Sequence, residues 1–426
     1  MEHSTSIRDL TSYRSKREYF FEHFGVRWPG TLLDPYDLLE IYPLSTTEIS
    51  AILRAALAIS RIYERIATLL RTVSDDTLLQ MGLPARTLAL AHLQISGMCD
   101  CVIGRLDLAR TADGYKLLEF NADTPGMVIE SFPINATVCE LAGVINPNSE
   151  GERALTHALE RSISAGLAYV RKKPGQLGKV VFTAHATCER DLDITNYLMG
   201  LPELPSSIQK QFVPLEELRA DEDGLYDSEG IRIDVLYRFH PLQFFSAKIF
   251  KPHHNKPRAM SNGTLLFDLI SQRRLAIVNP PAAFLLGNKA MQSVVWGLFE
   301  RREYFNRNER DLIEQYFLPT YMDPIFNGSY VVKPVYGDEG DSITIRDGNK
   351  RVLLRSNNST YMNQPMVYQK YVELPRVQLM TEDGIETLQI LTSCFLINGE
   401  PNGICLRAGH GITNFSWWFL PVCIDE

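Results

Sequence analysis

The sequence predicts a mixed chain, part α/β and part α+β, and three observations carry that prediction. An amphipathic helical stripe occupies the first hundred residues, short apolar strands alternate with helices in the middle, and several strands joined by turns run to the end. Ser45-Thr46-Thr47-Glu48 has the pattern of a capping box, and Ile49, Ile52, Leu53, Ala56, Ile59, Tyr63, Ile66 and Leu70 then recur at helical spacing, so a helix with a core-facing stripe is expected there. At Cys101 the period changes to two. CVIGRLDLAR and YKLLEFNAD flank Thr111-Ala112-Asp113-Gly114, which reads as a hairpin with Ala112-Asp113-Gly114 as its loop. KVVFTA at 179–184, a helical stretch near 189–200, QKQFVPL and IRIDVLYRF at 231–239 read as an open α/β sheet. From position 275 a strand, Asn279-Pro280-Pro281 and a helix through 288–299 precede strands within SYVVKP, SITIRD, MVYQKYVEL, LQILTSCFLING and NGICLRAG. Connectors near Pro147, Lys173-Pro174-Gly175 and 252–257 mark internal boundaries.

Composition bounds the function. The chain has 426 residues with 45% hydrophobic and 22% charged side chains, which excludes a disordered or fibrous protein. Its net charge of −8 speaks against a sequence-independent nucleic-acid binder, which needs clustered Lys and Arg to displace counterions. The polar N-terminus lacks the apolar core of a signal peptide, and no apolar run reaches the roughly 18 to 20 residues of a bilayer span, so a cytoplasmic protein without a membrane partner is expected. Seven scattered cysteines fit reduced thiols better than a disulfide framework. Cys99 and Cys101 lack a second pair to complete a zinc site, and His253-His254 read as part of a loop. A homodimer is the common arrangement for an enzyme of this kind.

The hairpin gathers carboxylates. With that loop, Asp107 lies opposite Glu119 and Arg105 opposite Asn121; alternation places these four on one face and Leu106, Leu108, Leu118 and Phe120 on the other. Two acids facing each other repel, and a divalent cation with hard oxygen ligands such as Asp107, Glu119 and the Asn121 amide offsets this. A solvated polar face with Arg105 as counter-charge is the alternative. Asp123-Thr124-Pro125-Gly126 is turn chemistry that places Asp123 and Thr124 at the rim of whatever the hairpin binds.

SYVVKPVYGDEGDSITI reads as a strand ending at Lys333, a loop with Gly337 and Gly340, and a second strand. Such a loop can lie across phosphates with a Lys as point charge, yet it is neither a P-loop nor a dinucleotide fingerprint, and Asp338, Glu339 and Asp341 are equally those of a solvated hairpin loop. Lys289 and Arg407 are further cations beside apolar sequence.

RLDL, KLLEFNADTPG, NKA, VVKPVYGDEG, YQKYVELP and GICLR with GITNFS, in this order, resemble a glutathionylspermidine synthase-type ATP-grasp ligase over most of the chain. The resemblance implies an ATP-grasp fold with a preceding α/β, preATP-grasp-type substrate domain and an N-terminal helical segment. Residues 1–100 would be the helical part, 101–280 the hairpin metal site with the substrate region, and 281–426 the nucleotide-binding region, all within one compact catalytic unit. It implies that ATP phosphorylates a small-molecule carboxylate and that an amine captures the acyl phosphate, giving an amide, ADP and phosphate. It makes Asp107, Glu119 and Asn121 the Mg²⁺ ligands and Arg105 the residue that neutralises the transferring phosphoryl group. Lys289 and Lys333 match the lysines on the ATP phosphates, and Gly340, with Gly337 beside it, matches the phosphate loop. Gln369 and Tyr371 lie on the hinge strand against which adenine packs, and Gln389 and Arg407 match active-site residues of the last strands. With 426 residues, the resemblance implies the synthetase part without the amidase that some relatives carry.

The chain departs from the family pattern at Asp338, where the loop usually has Arg, at Ala408-Gly409, and in a tail with Trp417 and Trp418. These departures put glutathione and spermidine as substrates in question, and an amino-acid or peptide ligase of a biosynthetic pathway is compatible with the same motifs. Two competing classes are a nucleotide-binding protein without ligase activity and a kinase-like phosphotransferase.

Overall fold

The computed structural model describes residues 15, 40–173, 175–245, 251–252, 265–381, 383–414 and 416–425; His253 and His254 lie outside them. The helix Thr46–Leu70 starts as its capping box requires: Ser45 Oγ accepts from the Glu48 N–H at 3.2 Å, and Glu48 Oε2 accepts from the Ser45 N–H at 3.2 Å. It buries Ile52, Ala56, Ile59, Tyr63, Ile66 and Leu70, while Ile49 and Leu53 flank the stripe half-buried. Each fully buried apolar side chain contributes roughly 1.5–3 kcal/mol relative to exposure.

That helix packs on an antiparallel sheet. Its strand order is Trp418–Leu420, Glu400–Gly409, Gly384–Ile397, Ile103–Thr111 and Gly114–Asn121, with Arg376–Thr381 also paired to Gly384–Ile397. The early hairpin is thus hydrogen-bonded to a strand almost 300 residues later. A second sheet is wholly parallel, in the order Ala276–Val278, Val235–Arg238, Gly178–Thr183 and Ile208–Phe212, and the helices Gly151–Tyr169 and Glu189–Gly200 pack on it. A third, antiparallel, runs Thr320–Tyr321, Met366–Lys370, Tyr330–Pro334, Thr344–Arg346 and Val352–Arg355. The strand Tyr42–Ser45 pairs in parallel with Val422–Asp425.

Three expectations need correction. The stretch 231–239 is two strands: Arg232–Ile233 joins a small separate sheet, Val235–Arg238 joins the parallel one, and the Asp234 carboxylate between them accepts from the Lys179 N–H. The helix expected through 288–299 follows a separate one, Pro281–Leu286, and itself spans Ala290–Glu300; Asn288 at the break donates to the Met81 carbonyl and accepts from the Ala290 N–H. The hairpin closes over two residues, since Thr111 pairs with Gly114, yet Asp107 still faces Glu119 and Arg105 faces Asn121. A β-bulge restores the register. Leu108 pairs with Leu117, so Leu117 rather than Leu118 continues the buried face with Leu106, Leu108 and Phe120.

All seven cysteines are free, and Cys101, Cys139, Cys394, Cys405 and Cys423 are buried. Among the described residues no helix is long and apolar enough to cross a membrane.

Candidate active site

Leu118 is displaced by the bulge, and its backbone serves the site. Its carbonyl accepts from Lys333 Nζ at 3.1 Å and from Gln292 Nε2 at 3.1 Å. Gln369 fixes the same lysine from the other side, its Oε1 2.8 Å from Lys333 Nζ while its Nε2 donates to Gln292. Burial depresses the Lys333 ammonium to about 8. An anion beside a lysine held this way favours its charged form.

The hairpin floor carries the densest charge. Asp107 is 1% exposed; its carboxylate accepts from Arg105 Nε at 2.8 Å, Arg105 Nη2 at 3.1 Å, Arg407 Nη2 at 2.7 Å and Ser393 Oγ at 2.7 Å. Burial alone would raise its carboxyl; the Arg105 and Arg407 guanidiniums outweigh that and hold it well below the usual carboxylate range. Asn121 Nδ2 bridges the facing acids, donating to Asp107 at 3.3 Å and to Glu119 at 3.2 Å, and Lys289 Nζ lies 3.5 Å from Glu119. The repulsion between the two acids is therefore offset by Asn121 and three cations. Two carboxylates and an amide on adjacent strands are hard-oxygen ligand types, here with the amide nitrogen turned toward both acids. Among the described residues no group of three or more His, Cys, Asp or Glu is arranged to hold a metal ion.

Most of these groups, though not Lys289, Gln292 or Ser393, open onto one cavity of about 1070 Å³. Of the residues singled out from sequence, Arg105, Asp107, Glu119, Asn121, Lys333, Gly340, Gln369, Tyr371, Gln389 and Arg407 line it. Lys289 and Gly337 do not; they bond to each other, Lys289 Nζ to the Gly337 carbonyl at 2.8 Å, beneath the glycine loop. Gly340 has φ +70°, and a Cβ there would stand 2.3 Å from the Thr413 carbonyl oxygen, so this loop closes directly on 412–413. Gln389 Oε1 accepts from the Gly411 N–H at 2.8 Å and fixes the same tail.

Other residues lie elsewhere than the sequence suggested. Thr124 lines the cavity, but Asp123 is turned away into an ion pair with buried Arg238, 3.0 Å from Nη1, and accepts from the Leu242 N–H. Trp417 is fully buried with its ring against Gly409, and Trp418 packs half-buried on the core, so neither Trp lines the cavity. Asp338 and Glu339 do line it, both at exposed positions of the glycine loop. Sequence reading passed over Ser393, Glu130, Arg190 and His185, all isolated in apolar or helical sequence and placed at the site or its wall only by the fold.

The family model described as glutathionylspermidine synthase preATP-grasp matches residues 8–425. The bifunctional glutathionylspermidine synthetase/amidase of Escherichia coli (strain K12) is 22% identical over 322 residues, 73% of this chain and 47% of that protein. The trypanothione synthetase of Crithidia fasciculata is 24% identical over 285 residues, 65% of this chain and 41% of that protein. The chain thus spans about half the length of these relatives. Among solved structures, a glutathione synthetase-like effector from Globodera pallida shares the fold, with a TM-score of 0.54 and 12% identity over 98% of this chain and 97% of that one.

Proposed function

The chain belongs to the glutathionylspermidine synthase preATP-grasp family, and from that membership and the site we propose that it is an ATP- and Mg²⁺-dependent ligase joining a carboxylate to an amine, with ADP and phosphate as products. The observation that carries this reading is the single cavity in which Lys333, Arg105 and Arg407 stand beside the facing pair Asp107 and Glu119. A polyanion that must lose one phosphoryl group to a carboxylate needs that combination: fixed cations where negative charge develops, and hard oxygens for a divalent cation.

In this reading Lys333 and Lys289 draw the nucleotide phosphates under the glycine loop, which Gly340 lets close on 412–413. Asp107, Glu119 and Asn121 would hold Mg²⁺, which supplies charge neutralisation on the phosphates. Arg105 and Arg407, both anchored on Asp107, aim fixed positive charge at the acyl phosphate formed from the carboxylate substrate. Gln369 holds Lys333 in place, and Tyr371 beside it lies on the wall where adenine would pack.

The names of the relatives suggest glutathione and spermidine as the first substrates to try. ADP release should require both a carboxylate and an amine when the chain is given ATP, Mg²⁺ and a panel of peptides, amino acids and polyamines. ADP release that ignores both substrates, or none under any pairing, sinks the ligase reading. A second reading, nucleotide binding without ligation, is favoured by the full complement of protein donors on Asp107. A thermal shift with ATP and Mg²⁺ but no ADP under any pairing would support it.

A further inference from the structure

An amide-forming step needs an uncharged amine, and so an acceptor for its proton. Of the two buried carboxylates that line the cavity among the described residues, Asp107 is fully engaged by Arg105, Arg407 and Ser393, whereas Glu130 is not. It is 2% exposed, lines the cavity, and its Oε2 has no hydrogen-bond partner, although a buried carboxylate oxygen ordinarily has one. The residue opens the π-helical turn Glu130–Ile134, a wide turn often met at functional sites, three positions after Met127 with φ +72°. Arg105 Nη1 ties this segment to the hairpin floor by donating to the Gly126 carbonyl at 2.9 Å, and Ser131 Oγ braces it internally by donating to the Met127 carbonyl at 2.6 Å. The charges facing Glu130 come from three elements: Arg190 on the helix Glu189–Gly200, Arg105 on the hairpin and Arg407 on Glu400–Gly409. Burial pushes the Glu130 carboxyl up, and its own backbone N–H and those arginines only partly offset it.

We propose that Glu130 binds the ammonium group of the amine substrate and takes its proton, acting as the base of amide formation. The inference rests on the ligase reading given above. The geometry places an orphan acceptor beside the two arginines assigned to the acyl phosphate, so an amine bound there stands next to the carbonyl it must attack. The step balances. The ammonium gives one proton to Glu130, and the freed nitrogen lone pair forms the C–N bond. The C–O bond to phosphate breaks with its electron pair on the leaving phosphate, and the surplus N–H proton leaves with it. A carboxylate raised by burial is better matched to an ammonium than an exposed one.

The test compares two nucleophiles on the full chain. Hydroxylamine is already uncharged at neutral pH and captures an acyl phosphate as a hydroxamate without a base; the amine that the wild type uses in the panel does need one. Glu130→Gln keeps shape and removes the base. Amide formation should fall by about 100-fold or more while hydroxamate formation falls far less. Glu130→Asp should recover part of the amide rate, and it carries the same comparison if the glutamine variant does not fold. Equal loss of hydroxamate and amide, or an unchanged amide rate, overturns the assignment while the ligase reading stands. A wild-type chain that forms neither product removes the ligase reading, and this inference with it.

Discussion

Arg407 Nη2 donates to Asp107 Oδ2 across 2.7 Å, joining two strands that flank Gly384–Ile397 on either side and lie 300 positions apart in sequence. With Arg105 on the same carboxylate, one buried acid organises two guanidiniums. Asp107→Asn leaves both without their counter-charge, and urea unfolding at pH 7 should show a loss of about 3–5 kcal/mol. The sign of its pH dependence follows. The folded pKa lies below the unfolded one, so the stabilisation is complete above the ordinary carboxylate range and is lost as pH falls through the folded value. The gap between wild type and variant should therefore narrow below about pH 4; a gap that widens there contradicts the pairing.

Lys333 is held near a pKa of about 8 by burial. Placing nucleotide phosphates beside it favours its charged form, so ATP binding at pH 8 to 9 should draw protons from solution. Calorimetry in two buffers of different ionisation enthalpy measures this uptake, and Lys333→Met should abolish it. Binding without uptake would place the phosphates elsewhere.

At Gly340 the φ of +70° and the approach to Thr413 leave no room for a side chain. Gly340→Ala should strain the closed loop by about 1–3 kcal/mol, which is roughly five- to 150-fold in ATP affinity. The melting temperature should fall as well, because the loop already closes on 412–413 in this structure. A variant with wild-type affinity would show that the loop does not close on the nucleotide.

Trp417 and Trp418 differ in what their loss should do. Trp417→Ala removes a fully buried indole and should cost about 3–5 kcal/mol. Trp418→Ala should leave the KM values for carboxylate and amine unchanged, since that side chain packs on the core and not on the cavity. A large KM change in a folded Trp418 variant would restore the tail to the substrate site.

Period-two alternation was enough to put Arg105, Asp107, Glu119 and Asn121 on one face, and the capping box marked the start of the long helix, because both signals are local. The bulge at Leu118 was not legible. A two-residue turn and one extra strand residue give the same inner register as a three-residue loop, so the pairing at Asp107 came out correctly from a wrong loop. Ser393 sits in an apolar strand and Glu130 in an apolar turn, where composition predicts core. Only the pairing of the hairpin with Gly384–Ile397, and the turn that follows it, brings them to the site. Asp123 looked like a rim residue because turns are usually exposed, but Arg238 on the parallel sheet claims it.

The central claim is that phosphate leaves from a carboxylate that ATP has activated. It is tested most directly by giving the chain ATP, Mg²⁺, the amine and a carboxylate substrate labelled with ¹⁸O in both oxygens, then analysing the released phosphate by mass spectrometry. Ligation through an acyl phosphate predicts one ¹⁸O per phosphate, carried over when the C–O bond breaks. Unlabelled phosphate, or phosphate retained on an acceptor, would contradict it.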